Sequence, residues 1–204
     1  MKKLAGTIGT CLLASVLFAG CSAAKAETNT IELEKNGKIT EYIVEDFSED
    51  YYDEEELEAY LEEEVESYTS ENGSSSVKLS GFKVEDGTAS ATIKYEDAAD
   101  YASFKNVDFF LGTIVEAETE GYSFDEVEFL SVEDGAAGDA ADTDAVLEND
   151  QNSVVILQEA LTVVVPGEIC YVSSKGAEVA AEDTAVIRAD EETGSVPVVY
   201  IVYE

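Results

Sequence analysis

Between residues 30 and 44 the chain alternates apolar and polar positions in two runs, Thr30 to Leu33 and Ile39 to Val44, separated by Lys35-Asn36-Gly37-Lys38. A period of two predicts strands half-buried in a sheet, and Asn-Gly supplies the positive φ angles of a tight turn, so the two runs predict a β-hairpin. From Asp53 the period lengthens. Leu57, Tyr60, Leu61, Val65 and Tyr68 form one stripe of a 3.6-residue helix that Asn72-Gly73 ends, which predicts a helix over roughly Asp53 to Ser70. Glu54, Glu55 and Glu56 suit the positive N-terminal end of its dipole, whereas Glu58, Glu62 and Glu66 recur at four-residue spacing and repel. Packing of the apolar stripe must offset that repulsion.

Val77 to Val84, the turn Glu85-Asp86-Gly87 and Ala89 to Tyr95 predict a second hairpin with Val77, Leu79 and Ile93 facing inward. Two short helices are expected next, over Asp97 to Lys105 with Tyr101 and Phe104 on the apolar side, and over Thr113 to Glu120, stopped by Gly121. Val127 to Val132 predicts a strand. Glu133 to Asp144, rich in Ala, Gly and Asp, is the least structured stretch by pattern and the expected place for any internal boundary.

The C-terminal part carries the apolar runs Val154 to Leu157, Leu161 to Val165, Ile169 to Val172, Val186 to Ile187 and Val198 to Tyr203. Continuous runs imply strands buried on both faces, and the helix over Asp53 to Ser70 is the expected lid. The class this predicts is α+β: a largely antiparallel β-sheet with an amphipathic helix and two short helices packed on one side, and a β-rich C-terminal half. Residues 29–204 are expected to form a single domain.

The first residues follow a different logic. Met1, Lys2 and Lys3 are a basic start, Leu4 to Phe18 is uncharged and mostly apolar, and Ala19, Gly20 and Cys21 close it with small residues. This is the layout of a secretory signal peptide, and its apolar run of about 15 residues falls short of the roughly 20 that a membrane-spanning helix needs. Phe18-Ala19-Gly20-Cys21 resembles a lipobox. That resemblance implies a signal peptide over residues 1–20, diacylglycerol on the Cys21 sulfur, and cleavage before it, with residues 21–28 as lipidated cysteine and short tether. Two or three acyl chains on one residue give lasting attachment, where a single chain holds only marginally. Fully extended, Ser22 to Asn29 reaches about 27 Å, so the domain is expected close to the membrane.

Charge narrows the function classes. The chain has 46 acidic and 11 basic residues; without Lys2 and Lys3 nine basic residues face the same 46, a formal charge of −37. Nucleic acid is excluded as a partner, because its binders displace counterions with a basic stripe. Lying flat on anionic lipid is disfavoured as well, so the most acidic faces are expected to turn away from the head groups. The plain reading of the charge is a solubilising, self-repelling surface.

Catalytic chemistry is thin. With no histidine, the usual general base, triad member and commonest zinc ligand are missing. Ser75-Ser76-Val77-Lys78 and Ser80-Gly81-Phe82-Lys83 fit Ser-x-x-Lys but lack its companion elements, and no glycine-rich nucleotide fingerprint occurs, so no cofactor is implied. Cys170, left without an intramolecular partner, reads as a buried strand thiol. Carboxylates remain: two of them at a defined separation can hydrolyse a glycosidic bond. Asp139, Asp142 and Asp144 form the tightest acidic loop cluster, without the full EF-hand series, and make weak Ca2+ or Mg2+ association the expectation.

Together the lipobox, the Asn-Gly hairpin, the helix start Asp50-Tyr51-Tyr52-Asp53-Glu54-Glu55-Glu56-Leu57 and Val165-Pro166-Gly167-Glu168-Ile169 resemble small lipoproteins of clostridia-type gut anaerobes. The resemblance implies a surface lipoprotein and brings no catalytic residue with it. The expected function is a non-catalytic binding or scaffolding module held to the membrane through lipid on Cys21, with an envelope protein as partner. Its rival is a carboxylate-dependent hydrolase of envelope or dietary glycans. A cleft with two facing carboxylates beside tyrosines favours the rival, and an exposed apolar patch favours the module.

Overall fold

The computed structural model describes residues 26–73 and 75–204; the expected signal segment 1–20 and Cys21, the expected lipidation site, lie outside them. In chain order the elements are β1 (Thr30–Leu33), β2 (Ile39–Asp46), α1 (Glu54–Asn72), β3 (Val77–Glu85), β4 (Thr88–Tyr95), α2 (Ala98–Lys105), β5 (Phe109–Thr113) and α3 (Ile114–Glu120). There follow β6 (Phe129–Glu133), β7 (Ala136–Ala141), α4 (Thr143–Leu147), β8 (Ser153–Leu157), β9 (Thr162–Val164), β10 (Ile169–Ser173), β11 (Ala177–Ala181), β12 (Thr184–Ile187) and β13 (Val199–Tyr203).

The α+β class holds, with the strands divided between two sheets. One has seven strands in the order β11-β12-β9-β1-β2-β4-β3, and the other six in the order β5-β8-β13-β10-β6-β7. Pairing is antiparallel except between β1 and β9, which run parallel. Both expected hairpins form, β1–β2 in the register Leu33↔Ile39 and β3–β4 in the register Val77↔Tyr95. Gly37 takes a φ of 84° while Asn36 does not turn positive, so of the expected pair only the glycine is left-handed.

The sheets pack face to face. Ile31, Ile39, Ile93 and Val163 of the seven-stranded sheet meet Val155, Leu157, Val199 and Ile201 of the six-stranded one. On the far face of the six-stranded sheet a second cluster forms from Phe110, Val154, Ile156, Tyr200 and Val202, covered by Ile114 and Ala117 of α3, Val146 of α4 and Phe124. Successive residues of Val154–Leu157 in β8 and of β13 therefore enter opposite clusters, so all of them are apolar and buried. This is the physical meaning of the unbroken runs Val154 to Leu157 and Val198 to Tyr203.

The lid differs from expectation. The long helix α1 covers neither face of β8 and β13; it lies against β3, with Val65 and Tyr68 reaching the inter-sheet core and no residue of its own fully buried. Nine of its nineteen residues are glutamate, too many charges to place under a second layer without desolvating some of them. Asp53 caps its start, accepting from the Glu56 amide at 3.0 Å, and Gly73 ends it, as expected, at φ 112°. The segment 133–144 is also more ordered than its composition suggests. It holds the edge strand β7, paired with β6, and the start of α4.

Candidate functional site

The inward face of β2 reads Ile39, Glu41, Ile43, and its register sets Glu41 opposite Ile93, among core residues. Glu41 is only 4% exposed. A carboxylate there is tolerable only when paired and fully hydrogen-bonded. Both oxygens are met: the Tyr95 hydroxyl donates to Oε2 at 2.5 Å, and Lys105 Nζ, at the end of α2, donates to Oε1 at 2.6 Å. The Tyr95 ring meets Tyr101 edge-on at 5.0 Å, and the Tyr101 hydroxyl donates to Glu159 Oε1 at 2.9 Å.

Burial, and after it the neighbouring carboxylates, push both tyrosine hydroxyls well above their ordinary value, Glu41 acting most on Tyr95 and Glu159 most on Tyr101. Both phenols remain protonated donors through the neutral range. Chemically the cluster clamps α2 and the β8–β9 loop to the seven-stranded sheet. Two carboxylates flanking tyrosines is the composition the hydrolase reading asks for, yet in Glu41 both oxygens are already engaged.

No sequence motif announced this cluster. Glu41 carried the signal, as an acidic residue in phase with Ile39 and Ile43, but nothing in the sequence ties it to Lys105, 64 residues away.

The residues singled out by sequence are scattered. Asp139 sits on the edge strand β7, Asp142 is the N-cap residue of α4 without a side-chain capping bond, and Asp144 lies in that helix's first turn. Among the described residues, no three or more Asp, Glu or Cys side chains converge as cation ligands do. Cys170 lies on β10 at an irregularity in its pairing with β13 and is half-buried, where burial first and then Glu204 and Glu168 push its thiol up to about 11. Of the Ser-x-x-Lys serines, Ser75 precedes β3 and Ser80 lies on it, with the Ser80 hydroxyl donating to the Thr92 carbonyl. Gly167 of the Val165-to-Ile169 segment has a packing reason: a Cβ there would run into the backbone carbonyl of Glu204.

The two ends of the seven-stranded sheet differ. At the end holding the β1–β2 turn, Glu32, Glu34, Glu168, Glu182 and Asp183, with Lys35, line an open groove of about 710 Å3. At the opposite end the chain enters the domain. Asn29 is fixed there, its Oδ1 accepting from the Val44 amide at 2.7 Å and its Nδ2 donating to Glu45 at 2.9 Å. β2 runs out beside it into an aromatic loop, where Phe47 and Tyr52 stack at 4.9 Å and Tyr51 meets Tyr52 edge-on at 4.8 Å. Tyr51 is 76% exposed and Tyr52 43%. The loop is held by the Phe47 amide donating to the Gly87 carbonyl at 2.7 Å and by the Tyr52 amide donating to the Glu49 carbonyl at 3.1 Å.

Among the described residues no helix is long and apolar enough to cross a membrane. Comparison with protein-family models, with curated proteins and with solved structures gave no match in any of the three.

Proposed function

We propose that this chain is an extracytoplasmic lipoprotein, held to the cell membrane by lipid on Cys21, whose folded part is a non-catalytic binding or scaffolding module serving a partner in the cell envelope. The lipobox-like Phe18-Ala19-Gly20-Cys21, separated by eight residues from Thr30 at the start of the first strand, supports the anchor. The observation that carries the module is the exposed Tyr51–Tyr52 pair, backed by Phe47, at the end where the chain enters the domain. Exposed aromatic surface held in a fixed arrangement is characteristic of recognition sites. Calcium or magnesium then acts as a diffuse counterion to the acidic surface.

Mass spectrometry of the mature protein tests the anchor. A diacylglyceryl adduct on residue 21, with residues 1–20 gone, is expected, and an unmodified Cys21 or a chain released freely into the medium overturns it. For the module, crosslinking in intact cells from position 50 should capture an envelope protein in the parent chain and lose it in Tyr51→Ser/Tyr52→Ser crosslinked from the same position. Glycan hydrolysis abolished by Glu159→Gln overturns the module in favour of the hydrolase.

A further inference from the structure

We infer that the aromatic loop at the chain-entry end is a docking platform for an arginine-rich, extended segment of a partner protein, a reading that rests on the binding-module function proposed above.

Three features converge on this occupant. The Tyr51 ring stands largely open to solvent, and Tyr52, stacked on Phe47 and met edge-on by Tyr51, keeps part of its ring exposed, which leaves an open aromatic surface for a ligand. Around them are Asp46, Glu49, Asp50, Asp53 and the first helical turn Glu54 to Glu56, all exposed. No basic residue occurs between Lys38 and Lys78, so nothing within this stretch neutralises those carboxylates. Aromatic faces beside carboxylates complement a guanidinium twice over, by stacking with cation–π attraction and by bidentate hydrogen bonding. A lysine offers only a point charge to the same surface.

The bilayer is the weaker occupant although the loop stands near the tether. Tyrosines do settle at membrane interfaces, but here at least seven carboxylates would have to approach the head groups with them. A cationic segment gains from those same charges. Location adds to this: Asn29, three strand positions from the loop through its bonds to Val44 and Glu45, places the platform on the side of the domain nearest the anchor. The complementary segment is therefore expected within tether reach of the membrane.

The test uses the mature lipidated chain in phosphatidylcholine nanodiscs, titrated with deca-arginine and deca-lysine peptides. Tyr51→Ser/Tyr52→Ser is compared with a control, Glu118→Gln/Glu120→Gln, that removes two exposed charges on α3. Deca-arginine should bind the parent chain more tightly than deca-lysine, and the tyrosine variant should weaken deca-arginine roughly 5- to 10-fold, the size that two exposed cation–π contacts carry. The control should change it less than about twofold, and the preference for arginine should persist in 0.5 M salt, where long-range attraction is screened. Equal binding by parent and tyrosine variant, or equal affinity for the two peptides, overturns the proposal and leaves only diffuse attraction to a polyanion. Loss of vesicle binding by a Cys21→Ala chain on adding the tyrosine substitutions, without peptide discrimination, assigns the loop to the bilayer instead. The anchor is read separately: a chain that discriminates the peptides but lacks lipid on Cys21 sinks the anchoring reading alone.

Discussion

The centre of the six-stranded sheet and the helix α1 are both prominent in the sequence, one as unbroken apolar runs and the other as a long amphipathic stripe. In the fold they carry very different loads. β8 and β13 bury residues into two separate clusters, one on each face, whereas α1 lies against β3, touches α2 through Tyr68, and buries none of its residues fully. Length and periodicity thus identify an element without measuring its contribution. What measures it is how many faces are covered and how many charges would be desolvated in covering them.

The sharpest way to break this comparison is to truncate one residue on each side of it. Ile201→Ala, at a fully buried position of β13, should cost about 2–5 kcal/mol in urea unfolding, while Leu57→Ala on α1 should cost about 1 kcal/mol or less. Comparable losses would mean that α1 is integral to the core.

Next in size is the interior clamp. Glu41→Ala should cost about 3 kcal/mol, because Tyr95 loses its acceptor and Lys105 its counter-charge. The triple change Glu41→Met/Tyr95→Phe/Lys105→Met should recover most of that loss, as replacing a whole buried polar set often does. Failure to recover would show that the clamp supplies more than packing and charge balance.

Alkaline pH probes the same place. Tyr95 and Tyr101 have hydroxyls raised in the fold above their unfolded value near 10, so the folded state keeps protons that the unfolded state releases. Their contribution is complete below pH 10 and declines above it, by up to about 1.4 kcal/mol per tyrosine for each pH unit. Thermal denaturation should show a fall in stability between pH 10 and 11 that Tyr95→Phe and Tyr101→Phe each flatten. The smallest effect belongs to α1: Glu62→Gln should raise stability by a few tenths of a kcal/mol, since it relieves repulsion with both Glu58 and Glu66. The gain should vanish in high salt.

Much of the fold was legible because its signals are local. Asn36-Gly37 and Asp86-Gly87 mark two turns that the structure builds, and Asp97 and Thr113 mark helix starts with side-chain caps. The strands that escaped sequence reading are those made by their neighbours. β7, Ala136 to Ala141, has no apolar alternation and exists because β6 offers it a ladder, β11 pairs in the same way on β12, and β5 is a short apolar run between two helices. The clamp was illegible for a related reason, since Glu41, Tyr95, Lys105, Tyr101 and Glu159 meet only after two sheets close over them. The aromatic loop was half legible: Tyr51-Tyr52 stood out at the helix start, but its position beside Asn29 follows from the register of β1 on β2.

That register has a mechanical corollary. β1, the first strand of the described chain, lies inside its sheet, flanked by β9 on one side and β2 on the other. Drag on a domain leashed through Asn29 would therefore load two hydrogen-bond ladders in shear along the strand axis, where an edge strand would peel away one bond at a time. Under the proposed anchoring through Cys21, the domain would meet a pull from the membrane at one of its best-braced points.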